Sequence, residues 1–378
     1  MTTILLLFGF CLSFALGLLV IPKILVIAHN KGLYDMPCER KIHHIPIPRL
    51  GGFSFFPVVL VSMTLALGFA FYLDISDADD LRLTTEALTE ALFLSAGFML
   101  LYLLGIVDDI EGVGYRKKFA VQFIAAGIIP LSGNRISSFA GLFEIYELPF
   151  WMSIVFTILL AVFIINAINL IDGVDGLASG LTLLSLVVMG TIFVIGEVYV
   201  YALLSICMLG ILLPFWWYNF FGEAEKKKKI FMGDTGSLTL GYLLSLLFIH
   251  ISVIYAEGNI KVEMSHIVMA FSSLVVPVFD ELRVILFRLK NRQNPFHADK
   301  NHFHHRLIDA GVKPQFVMPV ILLFSIGFIV GNYFLLDLAG VTGIFVTNLT
   351  VWALIHVYIN YLINSNKKST IESKEIYE

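Results

Sequence analysis

Between two long apolar runs the chain reads Asn166-Ala-Ile-Asn169-Leu-Ile-Asp172-Gly-Val-Asp175-Gly-Leu177, with an amide or a carboxylate at every third position. Two amides and two carboxylates at the edge of a hydrophobic span are costly unless they bind something. On an ideal helix a three-residue step falls about 60° short of a full turn, so the four positions wrap about half the circumference rather than lining one stripe. Gly173 and Gly176 supply a break that lets such side chains converge on one point.

Four further clusters carry chemistry. Asp108 and Asp109 stand side by side at the end of an apolar run, where a helix C-terminus offers anions nothing. They read either as a solvated boundary pair or as a site for a divalent cation or phosphate, since hard cations prefer oxygen. Gly233-Asp234-Thr235-Gly236-Ser237 opens another apolar run, so its free N–H groups and dipole could receive a phosphate. Asp234 could also serve there as an N-cap. His302, His304 and His305 stand with His297, Lys300 and Arg306 in one loop. Zinc would need a fourth ligand and usually cysteine company, so a solvated loop or a grip on phosphate oxygens is expected instead. A fourth cluster, Arg40-Lys41-Ile42-His43, precedes Pro48-Arg49-Leu50-Gly51-Gly52. Five carboxylates (Asp108, Asp109, Asp172, Asp175, Asp234) argue for Mg²⁺ completed by water, although Mn²⁺ suits the same oxygens. Phe231 is an interfacial aromatic that would also stack on a base bound at Asp234. Lys226–Lys229 reads as a topology anchor for anionic headgroups without a catalytic role.

The elements that must position these groups are membrane helices. Of 378 residues 58% are hydrophobic and only 14% charged, against about 25% charged in a soluble domain. Cys11, Cys38 and Cys207 show no paired spacing, so neither disulfides nor a zinc knuckle is expected. Runs long enough to cross about 30 Å of hydrocarbon fall near 3–28, 50–73, 88–107, 117–132, 150–168, 176–196, 198–218, 236–255, 265–287, 316–335 and 339–363. The fold class is therefore an all-α polytopic membrane protein of about eleven transmembrane helices, ten or twelve remaining open. The first run is too long for a signal-peptide core and reads as a retained span. The loops after odd-numbered spans, with the C-terminal tail and the adjoining span ends, hold 22 of the 25 Lys and Arg residues; Arg82, Arg135 and Lys261 are the others. The positive-inside rule then puts those loops and the C-terminus in the cytoplasm and the N-terminus outside. The same loops hold every polar cluster, whereas outer loops such as 74–80 are acidic and plain. One active site built by cytoplasmic loops is the expectation.

Taken together and in this order, the motifs resemble the polyprenyl-phosphate N-acetylhexosamine-1-phosphate transferases of the WecA/TagO type, related to the phospho-MurNAc-pentapeptide transferase. The resemblance runs from the first cytoplasmic loop to about residue 310. It implies transfer of N-acetylhexosamine-1-phosphate, GlcNAc-1-phosphate foremost, from a UDP-sugar to undecaprenyl phosphate. UMP is released, Mg²⁺ is the cofactor, and assembly of a surface glycan begins. It implies a bacterial cytoplasmic (inner) membrane location, with residues 1–365 as one transferase domain and 366–378 as a short polar tail. By the same resemblance Asp108 and Asp109 handle lipid phosphate or metal, and Asp234 binds metal. Asn166, Asn169, Asp172 and Asp175 match the motif that binds nucleotide and diphosphate, and Phe231 matches the aromatic that stacks on uracil. His302, His304 and His305, with Arg306, contact phosphates or sugar; Lys41 and His43 fall in the first-loop pattern. The His-Phe-His-His and Pro-Arg-Leu-Gly-Gly sequences depart from the muramoyl-pentapeptide branch and favour a plain HexNAc donor, another UDP-HexNAc or UDP-MurNAc-pentapeptide being the alternative. Membrane lipid is the surrounding partner, a second copy of the chain a candidate one, and nucleic acid is not expected. A cation-coupled transporter is the rival from another class, though it would want its charges near the midplane and access from both faces.

Overall fold

The computed structural model describes residues 2–35, 46–73, 84–294 and 301–375, so Lys41 and His43 lie outside the described residues. The architecture is helical: α1 (Thr2–Lys31), a 3-10 turn (Gly51–Ser54) leading into α2 (Phe55–Tyr72), α3 (Thr85–Glu111), α4 (Tyr115–Leu131), α5 (Phe150–Ile171), α6 (Leu177–Ile195), α7 (Tyr199–Phe220), α8 (Gly233–Ala256), α9 (Met264–Lys290), α10 (Phe303–Asp309) and α11 (Pro314–Glu375). Among the described residues one small sheet pairs Tyr34–Asp35 antiparallel with Ile47–Pro48.

Every sequence-predicted span falls on a helix. Eight helical segments of the described residues are long and apolar enough to cross a membrane, which makes this a multi-pass membrane protein. The difference from eleven has three physical sources. Helix α4 is only 17 residues long. Helix α9 carries Asp280, Glu281, Arg283, Arg288 and Lys290 within its length. Helix α11 counts once although Gly340, at φ 62° and ψ 179°, breaks it into the two predicted spans.

Helix α8 is the centre of the bundle and packs against α3, α5, α6 and α9. Nearly all of its residues from Thr235 to Ile254 are buried. Where α3 crosses its N-terminus the two backbones nearly touch: a Cβ on Gly105 would sit 2.2 Å from Thr235 Cα. Only glycine permits that approach. It brings Asp109, one turn further along α3, onto the first turn of α8. At the opposite end of α8, His250 Nδ1 lies 2.6 Å from Asn134 Oδ1, and Asn134 Nδ2 donates to Glu90 Oε1 at 2.6 Å. Tyr201 also donates to Glu90 and stacks on His250 with centroids 3.7 Å apart. This knot ties α3, the α4–α5 connection, α7 and α8 together.

Gly105→Ala is expected to destabilise the protein by about 1–3 kcal/mol, the usual cost of overpacking, as a lowered Tm in detergent. Gly127→Ala on α4, where a Cβ meets nothing within 4 Å, serves as the control. A Tm for Gly105→Ala equal to that of the control would contradict the close-contact account.

Candidate active site

The sequence-predicted break is present: α5 ends at Ile171, α6 begins at Leu177, and Gly176 takes φ 73°. Gly173 in the turn between them lies under helix α10, Asn169 in the last turn of α5 reaches the start of α8, and Lys118 of α4 and Asp109 of α3 meet that same start, so these clusters gather at one end of the bundle.

The residue that organises the gathering is Asp109. Its side chain is fully buried. Oδ1 accepts from the Asp234 amide at 2.8 Å, and Oδ2 accepts from the Thr235 amide at 2.9 Å and the Thr235 hydroxyl at 2.7 Å. Asp109 thus caps α8 from a neighbouring helix. The expected phosphate seat on those amides is already filled, and Asp234 is not the N-cap. Arg49 completes the junction by donating to the Asp109 carbonyl at 3.0 Å and the Asp108 carbonyl at 3.1 Å, placing a cation on the C-terminus of α3.

Asp234, released from capping, faces the site. Its Oδ1 accepts from Asn169 Nδ2 at 2.9 Å and lies 3.3 Å from Lys118 Nζ. Asn169 also donates to Ser237 Oγ at 2.8 Å. Lys118 bridges to Asp108 Oδ2, while Asp108 Oδ1 accepts from the Val113 amide at 2.6 Å. The expected trio of metal carboxylates is therefore divided, because Asp109 is committed to α8 and Asp108 to Lys118 and Val113. Among the described residues no three His, Cys, Asp or Glu side chains are placed to hold a metal by themselves. Asp234 and Asp172 are the two carboxylates here that are committed neither to a helix end nor, like Asp175, to Lys229, and oxygen donors of this kind suit hard cations. Asp172 ends α5 in the turn. Lost hydration, and then the charges of Asp234, Asp175 and Asp109, push its carboxyl up to about 8. A carboxyl so raised invites a cation.

Other residues depart from expectation. Asn166 does not join the site; it is buried, donating to Gln122 Oε1 and the Val162 carbonyl, both at 2.7 Å. Asp175 pairs with Lys229 at 2.5 Å, so the lysine run is more than an anchor. Asn219 accepts from the Gly176 amide at 2.7 Å and donates to the Ile230 carbonyl at 2.8 Å, linking the turn to the 230–231 loop. Phe231 is half-buried there, its backbone paired with Pro48 and Gly51. His302 and His304 are buried, and His305 is the more open member of the motif. A Cβ on Gly173 would lie 2.5 Å from His304 Nε2, so that ring covers the turn. Burial, and then His305 and His302, push the His304 imidazole down to about 3, leaving it neutral; its Nδ1 has no hydrogen-bond partner among the described residues. Arg306 turns away to Asn360 of α11.

The sequence reading gave Lys118 and Gln122 no site role, placed Arg49 only within the first-loop motif and read Lys229 only as an anchor. Lys118 had a signal: it continues, four residues earlier, the buried stripe Gln122, Ala125, Ala126, Ile129 of α4.

Removing Asp109 as Ala strands three buried donors, at a cost on the order of 3–5 kcal/mol. Asp234→Ala relieves like-charge crowding and should leave Tm within a few degrees of wild type. Equal Tm losses for the two variants, measured in the same detergent, would refute the capping role.

The comparisons with known proteins fall on this region. Residues 91–252, which contain Asp108, Lys118, Asn169, Asp172 and Asp234, match the model of glycosyl transferase family 4. Over 324 residues the chain is 35% identical to the probable undecaprenyl-phosphate N-acetylglucosaminyl 1-phosphate transferase of Bacillus subtilis (strain 168), covering 85% of this chain and 82% of that one. It is 30% identical over 322 residues to the decaprenyl-phosphate N-acetylglucosaminephosphotransferase of Mycobacterium leprae, covering 79% and 75%. It is 28% identical over 309 residues to the undecaprenyl-phosphate alpha-N-acetylglucosaminyl 1-phosphate transferase of Escherichia coli (strain K12), covering 80% and 77%. With the motifs gathered at one end of the bundle and similarity over most of its length, the chain belongs to glycosyl transferase family 4.

Proposed function

We propose that this membrane enzyme transfers N-acetylhexosamine-1-phosphate, GlcNAc-1-phosphate foremost, from a UDP-sugar to undecaprenyl phosphate, releasing UMP and starting a lipid-linked surface glycan. The observation that carries this reading is the junction of Asp234, Asn169 and Lys118 beside the Asp172–Gly176 turn and under His304, in a chain of this family. The relatives named above act on undecaprenyl or decaprenyl phosphate by their names.

In the reaction a lipid phosphate oxygen bonds to the β-phosphorus. The bond from that phosphorus to the bridging oxygen breaks, and UMP leaves with the oxygen. The second pKa of a phosphate monoester is near 6, so the nucleophile is mostly dianionic at pH 7. The protein's work is to bring two anions together. Lys118 places a cation beside Asp234. His304 and His305 close the turn as neutral and more open imidazoles, fitted to donate to or accept from phosphate and sugar groups. Asp108, tied to Lys118, fits a positioning role better than that of a base. Phe231 offers its ring to the uracil. Mg²⁺ held by Asp234 and Asp172 would neutralise the diphosphate and stabilise the leaving UMP. The lysine and arginine distribution supports a site on the cytoplasmic face of the bacterial inner membrane, with the N-terminus outside and the C-terminus inside.

In proteoliposomes with Mg²⁺, undecaprenyl phosphate and a panel of UDP-sugars, UMP release should be greatest with UDP-GlcNAc and should vanish on chelation. Asp234→Asn should lower the rate by about 100-fold or more; near-normal turnover would sink the assignment. Because Asp172 titrates near 8 without a cation, protons compete with Mg²⁺ below that pH. Half-saturating Mg²⁺ should therefore fall as pH rises from 6.5 to about 8 and then level off, and Asp172→Asn should flatten the dependence. A half-saturation that rises with pH would contradict Asp172 as a ligand.

A further inference from the structure

Beneath the histidine motif lies a carboxylate that the mechanism above does not use. Asp280, two-thirds of the way along α9, is buried at 1% exposure. Its Oδ2 lies 2.9 Å from His302 Nδ1, and its Oδ1 accepts from the Phe303 amide at 2.9 Å and from Arg283 Nη2 at 3.0 Å. Arg283 also donates to the Asn301 carbonyl. His302 is the N-cap residue of α10 but makes no capping bond with its side chain, so the cap comes from Asp280. Helix α10 has seven residues, too few to persist without tertiary support. On its other flank Phe303 packs on Trp352 and His356 of α11, at 4.9 and 5.3 Å between centroids. The rings of His302 and His304 are nearly parallel, 6° apart with centroids at 5.9 Å, and the His304 ring in turn covers Gly173.

We propose that Asp280 is a positioning residue for the transfer reaction: by holding the His302 ring and the first amide of α10 it sets His304 and His305 over the Asp172–Gly176 turn. A carboxylate only accepts, so the proton of the bond sits on His302 Nδ1, which fixes the ring's orientation and tautomer. His302 acts from beneath the motif as the handle by which Asp280 holds it. The inference rests on the functional reading above only where activity is the readout.

Asp280→Asn keeps an oxygen for the Phe303 amide but sets an NH₂ group against the His302 N–H. In the wild-type background it should lower kcat by about 10- to 100-fold, the range for groups that orient functional histidines, with donor KM changed by less than about threefold. In a His302→Gln background the same change should cost less than about twofold, because the two residues act as one unit. Equal losses in both backgrounds, or an unchanged kcat, would overturn the proposal. Hydrogen–deuterium exchange of substrate-free protein supplies a readout that needs no turnover. Amides of Phe303–Asp309 should exchange faster in Asp280→Asn while those at the start of α8 do not, and unchanged exchange in α10 would overturn the anchor. A wild-type enzyme that releases no UMP from any UDP-sugar would sink the functional reading instead, leaving exchange to decide the positioning role.

Discussion

A single carboxylate, that of Asp109 on the first amides of α8, is the interaction on which the site depends. It joins the end of one membrane helix to the beginning of another, and Arg49 closes the junction from the carbonyl side. Buried helix ends must find partners, and in a bilayer water is not there to supply them. Here the ends satisfy each other. The consequence for chemistry is orientation: with the cap provided from outside, Asp234 is free to look into the site, and Asn169 and Lys118 are drawn to it. Gly105 sets the distance at which this is achievable, one turn before Asp109.

The second consequence is electrostatic. A helix N-terminus is a ready seat for anions, but this one is occupied by the protein's own carboxylate. Among the described residues Arg49, Lys118 and Lys229 pair with aspartates of the five at this end. Lost hydration, and then the carboxylates of Asp234, Asp175 and Asp109, hold the Asp172 carboxyl up at about 8, so a cation bound beside it would be favoured. Asp280 repeats the device of Asp109 on a smaller scale, since again a neighbouring helix supplies the cap and again a motif is held from below. The histidines it holds are mostly interior, which explains why their neutral forms prevail at His304.

Much of this was legible in the sequence, and the parts that were not share a cause. Apolar run length located every long helix but not the short polar α10, whose histidines read as a loop, and the break at Gly173–Gly176 followed from polar residues that fit no single face. The gathering of motifs at one end followed from span parity. What spacing cannot supply is the direction in which a side chain points at a given depth. Asn166 and Asn169 are one helical turn apart and identical in type, yet one buries against Gln122 and the other reaches Asp234. Lys118 stands in a run of three cations, and only its place on the buried stripe of α4 separates it from Lys117. Arg306 sits beside the histidines in sequence but turns to α11. Asp280 went unread because nothing in its own neighbourhood reveals a partner 22 residues away.

The knot of Glu90, Asn134, Tyr201 and His250 at the far end of α8 bears on how the molecule can move. Buried, mutually bonded side chains on four elements leave that end little room for local opening. The near end is built instead from turns, a short helix and loops, the kinds of segment that shift as ligands come and go. Adjustment is thus confined to one end of a bundle whose helices stay together along the rest of their length. On the proposed reading, a lipid and a water-soluble nucleotide can be exchanged without parting the helices, so each turnover leaves the membrane's permeability barrier closed.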